Sequence, residues 1–600
     1  MRLTQNIGPV ILAVIARNSV VRSQGVNEYT STVANTISPA GSRMNLTRVP
    51  SQPTSYQRSS MSNCDNYNYL IESIKYKISD KSVGSNEDEH CEEMIKDQST
   101  LEFWEEFGGQ KIMEKLDNLD KQTHLQRAAK NIILFVGGGM NVDTITAARI
   151  QAGKWAAKSS SKGCGEEHEL SFEKFPYTGF SKTYSLNSQT PSSRSAGTAL
   201  LSGFKSKSQT LNCANTNNCK ETKGIRKSPA IPHNLLAKMK FSRGVKYFKT
   251  GIVSNSQFYD GTTAAAFAKQ KDKRGNSINK IADSLDQALK TKLVDLSFTG
   301  GKAMFRGSGG HDLFKNNRDG RTKTFKAIET RTEMSALTPD DFVQAGKHKP
   351  IVGMFADYEL QFEDERCHDS ARYGEEPSLS EMSEKAVELL AGSSKNGFFL
   401  MVEAGNVERA HQQTQAIRAI NEAVELDLAI QKTIQKLESL QQSGDAKYQN
   451  IVDNTLIVVT ADHGHTFTFG AWDSPRGIKA SKAADKGAAA FIFDPTGYFA
   501  AGDPIAGYYA GPGKSYQDEE QKKTHPDDLD KMYQPAVEVE KTPVSAEDVP
   551  VFGKGPMAHL LAGVHEQSYV GNVMGFTACT KEFCAESHCV AANLGCDRYE

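Results

Sequence analysis

Three apolar runs, each passing directly into a polar loop, constrain this chain more than any other feature. Asn131–Ala148 reads NIILFVGGGMNVDTITAA. Phe398–Val402 leads into VEAGNVERAH (Val402–His411), and Leu456–Thr460 leads into TADHGHTFTFG (Thr460–Gly470). Continuous apolar runs of this length, without polar alternation, suit strands covered on both faces, as in parallel sheets. Such sheets carry their sites beyond the carboxyl ends of the strands. The three loops are therefore where a site is expected.

The rest of the chain fits that reading. Further candidate strands are Val245–Val253, Leu293–Phe298, Ala489–Phe493 and Val549–Phe552. Helical periodicity marks Thr144–Ala152, Leu379–Leu390 and Ala410–Leu440, and Glu102–Leu116 is a weaker helix with Gly108-Gly109 inside it. Alternating strands and helices predict an α/β fold: a large, mostly parallel sheet between helix layers. A length of 600 residues would allow about four domains, but one large sheet can absorb most of it. Gly470–Asp530 is rich in Gly, Ala and Pro and reads as a loop-rich region. Residues 26–98 are polar, with few large apolar side chains, and read as a poorly ordered extension.

The net charge of −1, with both signs interspersed, gives no footprint for nucleic acid and no polybasic membrane face. Residues 1–25 read as a signal peptide. Arg2 precedes the apolar run Ile7–Ala16, which is too short to span a bilayer, and cleavage could follow Ala16 or Ser23. A frayed terminus is the plainer alternative. Ten cysteines support export and disulfides. Cys213 and Cys219 lie close together, and Cys579, Cys584, Cys589 and Cys596 crowd the C-terminus, the last three in a Cys-rich tail over 580–600. A four-thiolate zinc site is the competing reading of that tail. Asn45-Leu46-Thr47 is a glycosylation sequon if the chain is secreted. No transmembrane helix is expected, and no apolar stretch follows Cys596 to signal a lipid anchor.

The three loops together resemble the metal-bearing loops of the alkaline phosphatase family. The resemblance runs from about Glu102 to Cys579. It includes segments without chemistry: FPYTGFSKTY (Phe175–Tyr184), TGGKAMFRG (Thr299–Gly307) and KGPMAHLLAGVHEQSYVGNVMGFTAC (Lys554–Cys579). It implies an alkaline-phosphatase-like domain over 99–579 with a crown-like loop region, a homodimer, two zinc ions, a magnesium ion and a serine nucleophile. Paired metals stabilise charge on the attacking and leaving oxygens of a phosphoryl group.

Carried over residue by residue, the set is incomplete. The aspartate that would bridge two metals falls on Gly138, and Asp143 is too far along the loop to replace it. The nucleophile position falls on Ser193, followed by Arg194; a shifted alignment would use Ser195. For magnesium, Glu403 and Thr262 match ligands, with Asp260 behind them. For one zinc, Asp462 and His463 match. For the other, the acid falls on Glu408, while the two histidines fall on Gln412 and on Val544 or Pro543. The phosphate-clamping arginine falls on Lys273, beside Arg274, which keeps the charge without the bidentate fork. His411 and His465 are the imidazoles that could substitute. Each matched residue also has a plainer role, as a turn residue, a buried paired acid or, for Ser193, a helix cap.

Two functions follow as expectations. One is a secreted pseudoenzyme with severely impaired phosphomonoester hydrolysis, reduced zinc and magnesium occupancy, and residual binding of metal or phosphate-containing small molecules. The other is an active phosphomonoesterase with a rearranged metal site.

Overall fold

The computed structural model describes residue 64 and residues 125–157, 164–213, 234–243, 248–270, 277–469, 506–512, 532 and 535–594. The signal peptide, Asn45, the helix expected at Glu102–Leu116, Lys273 with Arg274, and the strand expected at Ala489–Phe493 lie outside them. The strands, in chain order, are β1 (Asn131–Gly137), β2 (Tyr177–Lys182), β3 (Lys249–Gln257), β4 (Leu296–Gly300), β5 (Lys326–Ile328), β6 (Val343–Gln344), β7 (Lys347–His348) and β8 (Ile351–Met354). They continue as β9 (Phe398–Ala404), β10 (Thr455–Ala461), β11 (Phe467–Phe469), β12 (Ala506–Gly511), β13 (Pro535–Glu538), β14 (Val549–Lys554) and β15 (Gly563–Glu566).

The apolar runs are buried on both faces, as their composition requires. In β1, Ile133 and Phe135 join one hydrophobic core, and Ile132, Leu134 and Val136 join another. In β9, Leu400 and Val402 belong to the first core and Phe399 and Met401 to the second. The helices Val142–Ala157, Leu379–Ser393 and Ala416–Gln442 supply Ile145, Met382 and Ile420 to the first core. The helices Leu235–Arg243, Ser277–Lys290 and Gln567–Thr577 supply Leu236, Leu285 and Met574 to the second. Each fully buried side chain of this size contributes about 1.5–3 kcal/mol.

The main sheet has ten strands in the order β15-β2-β14-β10-β1-β9-β3-β4-β8-β5. From β10 to β5 every pairing is parallel, and β14 is antiparallel to both of its neighbours. The predicted α/β sheet between helix layers is the fold observed.

Several local expectations need correction. The long helix expected at Ala410–Leu440 is two helices, Gly405–Gln412 and Ala416–Gln442. Thr414 breaks them with a left-handed φ of 55° and donates its hydroxyl to the Pro512 carbonyl at 2.7 Å. Within the Gly470–Asp530 region, the described residues 506–511 form β12 in a small sheet ordered β11-β12-β13. The four-thiolate zinc reading of the tail fails. Cys579 is disulfide-bonded to Cys589, and Cys584 is disulfide-bonded as well. Another disulfide joins Cys64, in the segment expected to be poorly ordered, to Cys367 in the helix Glu363–His368.

Candidate functional site

Strand register brings the three loops side by side. Gly137 at the end of β1 is level with Ala461 in β10 and Ala404 in β9, and Glu403 is level with Ser254 in β3. The chain leaves these strands at one edge of the sheet. The Gly138 amide donates to the Ala404 carbonyl at 3.1 Å. Gly139 takes a φ of +66°, and a Cβ there would lie 2.3 Å from His465 Cδ2, so only glycine fits. Asn141 ties the first and third loops together. Its Nδ2 donates to the His465 and Phe467 carbonyls, and its Oδ1 accepts from the Thr144 amide at the start of the following helix.

Asp462 is fully buried and already engaged. Its Oδ1 accepts from the Gly139 amide at 3.1 Å and from the His463 amide at 2.9 Å; its Oδ2 accepts from Thr262 Oγ1 at 3.0 Å. Thr262 therefore faces Asp462, and not Glu403 as the magnesium match implied. The next residue, Thr263, donates to Glu403 instead, with Ser254 Oγ at 3.1 Å. Burial, reinforced by Asp260, pushes the Glu403 carboxyl well above its ordinary range, which favours the neutral acid. Burial, with Glu408 nearby, likewise pushes Asp260 up to about 6.

Ser193 Oγ lies 3.2 Å from His463 Nε2 and 3.5 Å from Glu408 Oε2. It is half-buried, whereas His463, Glu408 and His465 are buried. The helix Ser193–Ser202 is capped by Ser192, not by Ser193, in a reciprocal box with Ser195. Ser195 Oγ is thus spent on Ser192. Arg194 is buried with Nη1 donating to Gln270 Oε1 at 2.9 Å; burial lowers its pKa and the Asp260 carboxylate opposes that.

Two imidazoles flank Glu408. His463 Nε2 stands 3.8 Å and His465 Nε2 3.6 Å from Glu408 Oε1. Burial alone would raise the Glu408 pKa, but His465, His463 and the Gln412 amide outweigh it and hold the group at about 2. Burial would lower His463; the Asp462 and Glu408 carboxylates prevail and raise it.

Gln412 and Val544, which the resemblance matches to histidine ligands, have other partners. Gln412 Nε2 donates to Glu408 Oε1 at 3.0 Å, and Val544 pairs by backbone with His465. His411 does not substitute as a ligand. Its Nε2 meets Thr144 Oγ1 at 3.0 Å and its Nδ1 meets Tyr508 OH at 2.9 Å. Asn141, Thr263, Ser254 and Tyr508 had no motif to mark them, because each acts through a contact distant in sequence.

The family model for alkaline phosphatase matches residues 129–580. This chain belongs to the alkaline phosphatase family. The tissue-nonspecific alkaline phosphatase of Rattus norvegicus is 32% identical over 509 residues, covering 78% of this chain and 88% of its own. Alkaline phosphatase of Gadus morhua is 31% identical over 513 residues, covering 80% and 97%. Among solved structures, alkaline phosphatase from the Antarctic bacterium TAB5 aligns at 18% identity over 76% of this chain and 99% of its own, with a TM-score of 0.49.

Measured against the zinc and magnesium implied for an alkaline phosphatase, the residues present fit unevenly. The Glu403 carboxyl is occupied by hydroxyl donors and Thr262 is turned away from it, so the magnesium set does not fit. Gly138 brings no carboxylate between two metals. The buried group Glu408, His463 and His465 does fit a cation, since its donor atoms all lie within 4.8 Å of one another. Among the described residues, no helix is long and apolar enough to cross a membrane.

Proposed function

We propose that this chain is a secreted alkaline-phosphatase-like protein with severely impaired phosphomonoester hydrolysis, retaining residual binding of metal or of phosphate-containing small molecules. The observation that carries this reading is the glycine at position 138. Two-metal phosphoryl transfer needs cations at both the attacking and leaving oxygens, and a bridging carboxylate there would serve two metals at once. Without it, Gln412 and Val544 leave the second zinc position with Glu408 alone. Zinc and magnesium occupancy is correspondingly reduced. Lys273 supplies charge toward a phosphate, Asn45 carries glycan, and the protein is a homodimer as in the family. The disulfides are consistent with export.

One observation favours the alternative of an active phosphomonoesterase. Ser193 Oγ stands within hydrogen-bonding distance of His463 Nε2, as a nucleophile beside its activating group would. Zinc and magnesium content, measured on the same preparation as hydrolysis of a generic phosphate monoester at alkaline pH, separates the two. Slow turnover with sub-family metal content supports impairment; ordinary turnover with two zinc ions per chain overturns it.

A further inference from the structure

His465 is 1% exposed, and neither of its ring nitrogens makes a hydrogen bond. Leaving a buried polar group unsatisfied costs about 1–3 kcal/mol; Nδ1 has no partner and the contact of Nε2 with Glu408 is long at 3.6 Å, so the ring has capacity for a further partner. Its Nε2 faces Glu408 Oε1, which also faces His463 Nε2. The residue matches place Glu408 and His463 at two different zinc ions, and His465 at neither.

We propose that Glu408, His463 and His465 form a single zinc site, assembled from the remnants of two. This rests on the reading that the paired-metal site is dismantled, and it identifies what remains.

Four features support it. Two imidazoles and one carboxylate, with a fourth position open, make a donor set typical of zinc. Zinc–ligand bonds of about 2.0–2.2 Å in a tetrahedron set donors about 3.3–3.6 Å apart; the two imidazole–Glu408 separations, 3.6 and 3.8 Å, are near that span, and all three donors lie within 4.8 Å of one another. His463 is already oriented. Its Nδ1 lies 3.2 Å from the Gly464 carbonyl, which can only accept, so Nδ1 carries a hydrogen and Nε2 is the nitrogen turned toward the site. The His465 and Glu408 positions are also braced, by Asn141 on the His465 carbonyl and by Gln412 on Glu408 Oε1. Asp462 borders the site, its Oδ2 3.3 Å from His463 Nε2, and is itself held by the Gly139 and His463 amides and by Thr262 Oγ1. Ser193 Oγ borders the same group, 3.2 Å from His463 Nε2 and 3.5 Å from Glu408 Oε2. Among the described residues, the three cysteine-containing groups with comparable geometry, around Cys64–Cys367, Cys579–Cys589 and Cys164, are excluded because those cysteines are disulfide-bonded.

The test is zinc stoichiometry and affinity of the full chain, by elemental analysis and calorimetric titration with zinc chloride. The wild type is expected to bind close to one zinc per chain, and His465→Ala to weaken binding by at least about 100-fold. Should His465→Ala misfold, His465→Gln, closer in size, gives the same readout. Cobalt(II) in the wild type should show the strong visible absorption of a tetrahedral site, independently of any variant. Two zinc ions per chain, none, an octahedral cobalt spectrum, or a folded His465 variant that binds like wild type would each overturn the proposal. Slow turnover with no zinc bound rejects this site and leaves the impaired-hydrolysis reading intact. One zinc held through His465 with ordinary turnover does the reverse.

Discussion

Gly138 lies against Glu408: a Cβ built on the glycine would stand 3.3 Å from the glutamate Cβ and 3.4 Å from the Ala404 carbonyl oxygen. The backbone at this glycine is not left-handed, so the constraint is space alone. Glycine at the bridging position leaves the neighbourhood of Glu408 to Ser193, Gln412 and the two histidines.

Gly138→Asp should therefore be accommodated, with neighbours giving way by a few tenths of an ångström and a stability cost of about 1–3 kcal/mol. It should raise zinc affinity at least about 10-fold, because an added ligand carboxylate lies next to Glu408. Calorimetric titration with zinc checks this. Unchanged affinity in a folded variant would mean that position 138 no longer faces the metal site.

Hydrolysis of a phosphate monoester by the wild type should be at least about 10³-fold slower than by an intact family member, since members of a cooperating catalytic set fail together. Gly138→Asp alone should not restore it, because Gln412 and Val544 still leave the second position short of ligands. Histidine at 412 and 544 is needed as well, with Lys273→Arg strengthening phosphate binding. A turnover number of about 10 per second or more in the wild type, or a single variant as fast as the multiple one, would contradict this.

Gly139→Ala should be strongly destabilising. A φ of +66° costs a non-glycine residue about 1–2 kcal/mol, and the added carbon would stand 2.3 Å from His465 Cδ2. The urea midpoint should fall, and zinc binding should fall with it as His465 is displaced. A variant with an unshifted midpoint would show that this turn is not as tight as described.

Stability should also respond to pH through Glu425, a buried acid in the helix Ala416–Gln442. Burial, with Glu363 nearby, pushes its carboxyl up to about 8. An unfolded glutamate titrates near about 4.3. Between these values the folded chain holds a proton that the unfolded chain has released, so stability falls as pH rises. Glu425→Gln removes that loss and can still accept from the Ser380 amide, which now bonds Oε1 at 2.9 Å. The melting temperature of the variant minus that of wild type should climb from pH 4 to about pH 8 and then level off. A difference that is flat in pH would place the Glu425 carboxyl in its ordinary range.

Much of the fold was legible because its signal is local. The apolar runs at Asn131–Gly137, Phe398–Ala404 and Thr455–Ala461 are too continuous to have a wet face, and each became a strand between two cores. Strand ends and helix breaks were less legible. Helical periodicity runs through Thr414 without interruption, yet the chain turns there to meet Pro512, a contact across 98 residues. The short edge strand β15 is largely exposed at Gly563 and Val564 and carries little hydrophobic pattern.

The sequence by itself determined which side chains stand at the positions the resemblance matches to metal ligands. Gly138 and Val544 have no side-chain donor in any conformation and Gln412 has only a neutral amide, because that is a matter of side-chain chemistry. Only the tertiary structure decided what the surviving donors do. Thr262 turned to Asp462, Thr263 took Glu403, His411 went to Thr144 and Tyr508, and His465 met Glu408. Each of these choices depends on distances between loops that strand register brings together. The sequence order of those loops carries no information about sub-ångström differences in who faces whom.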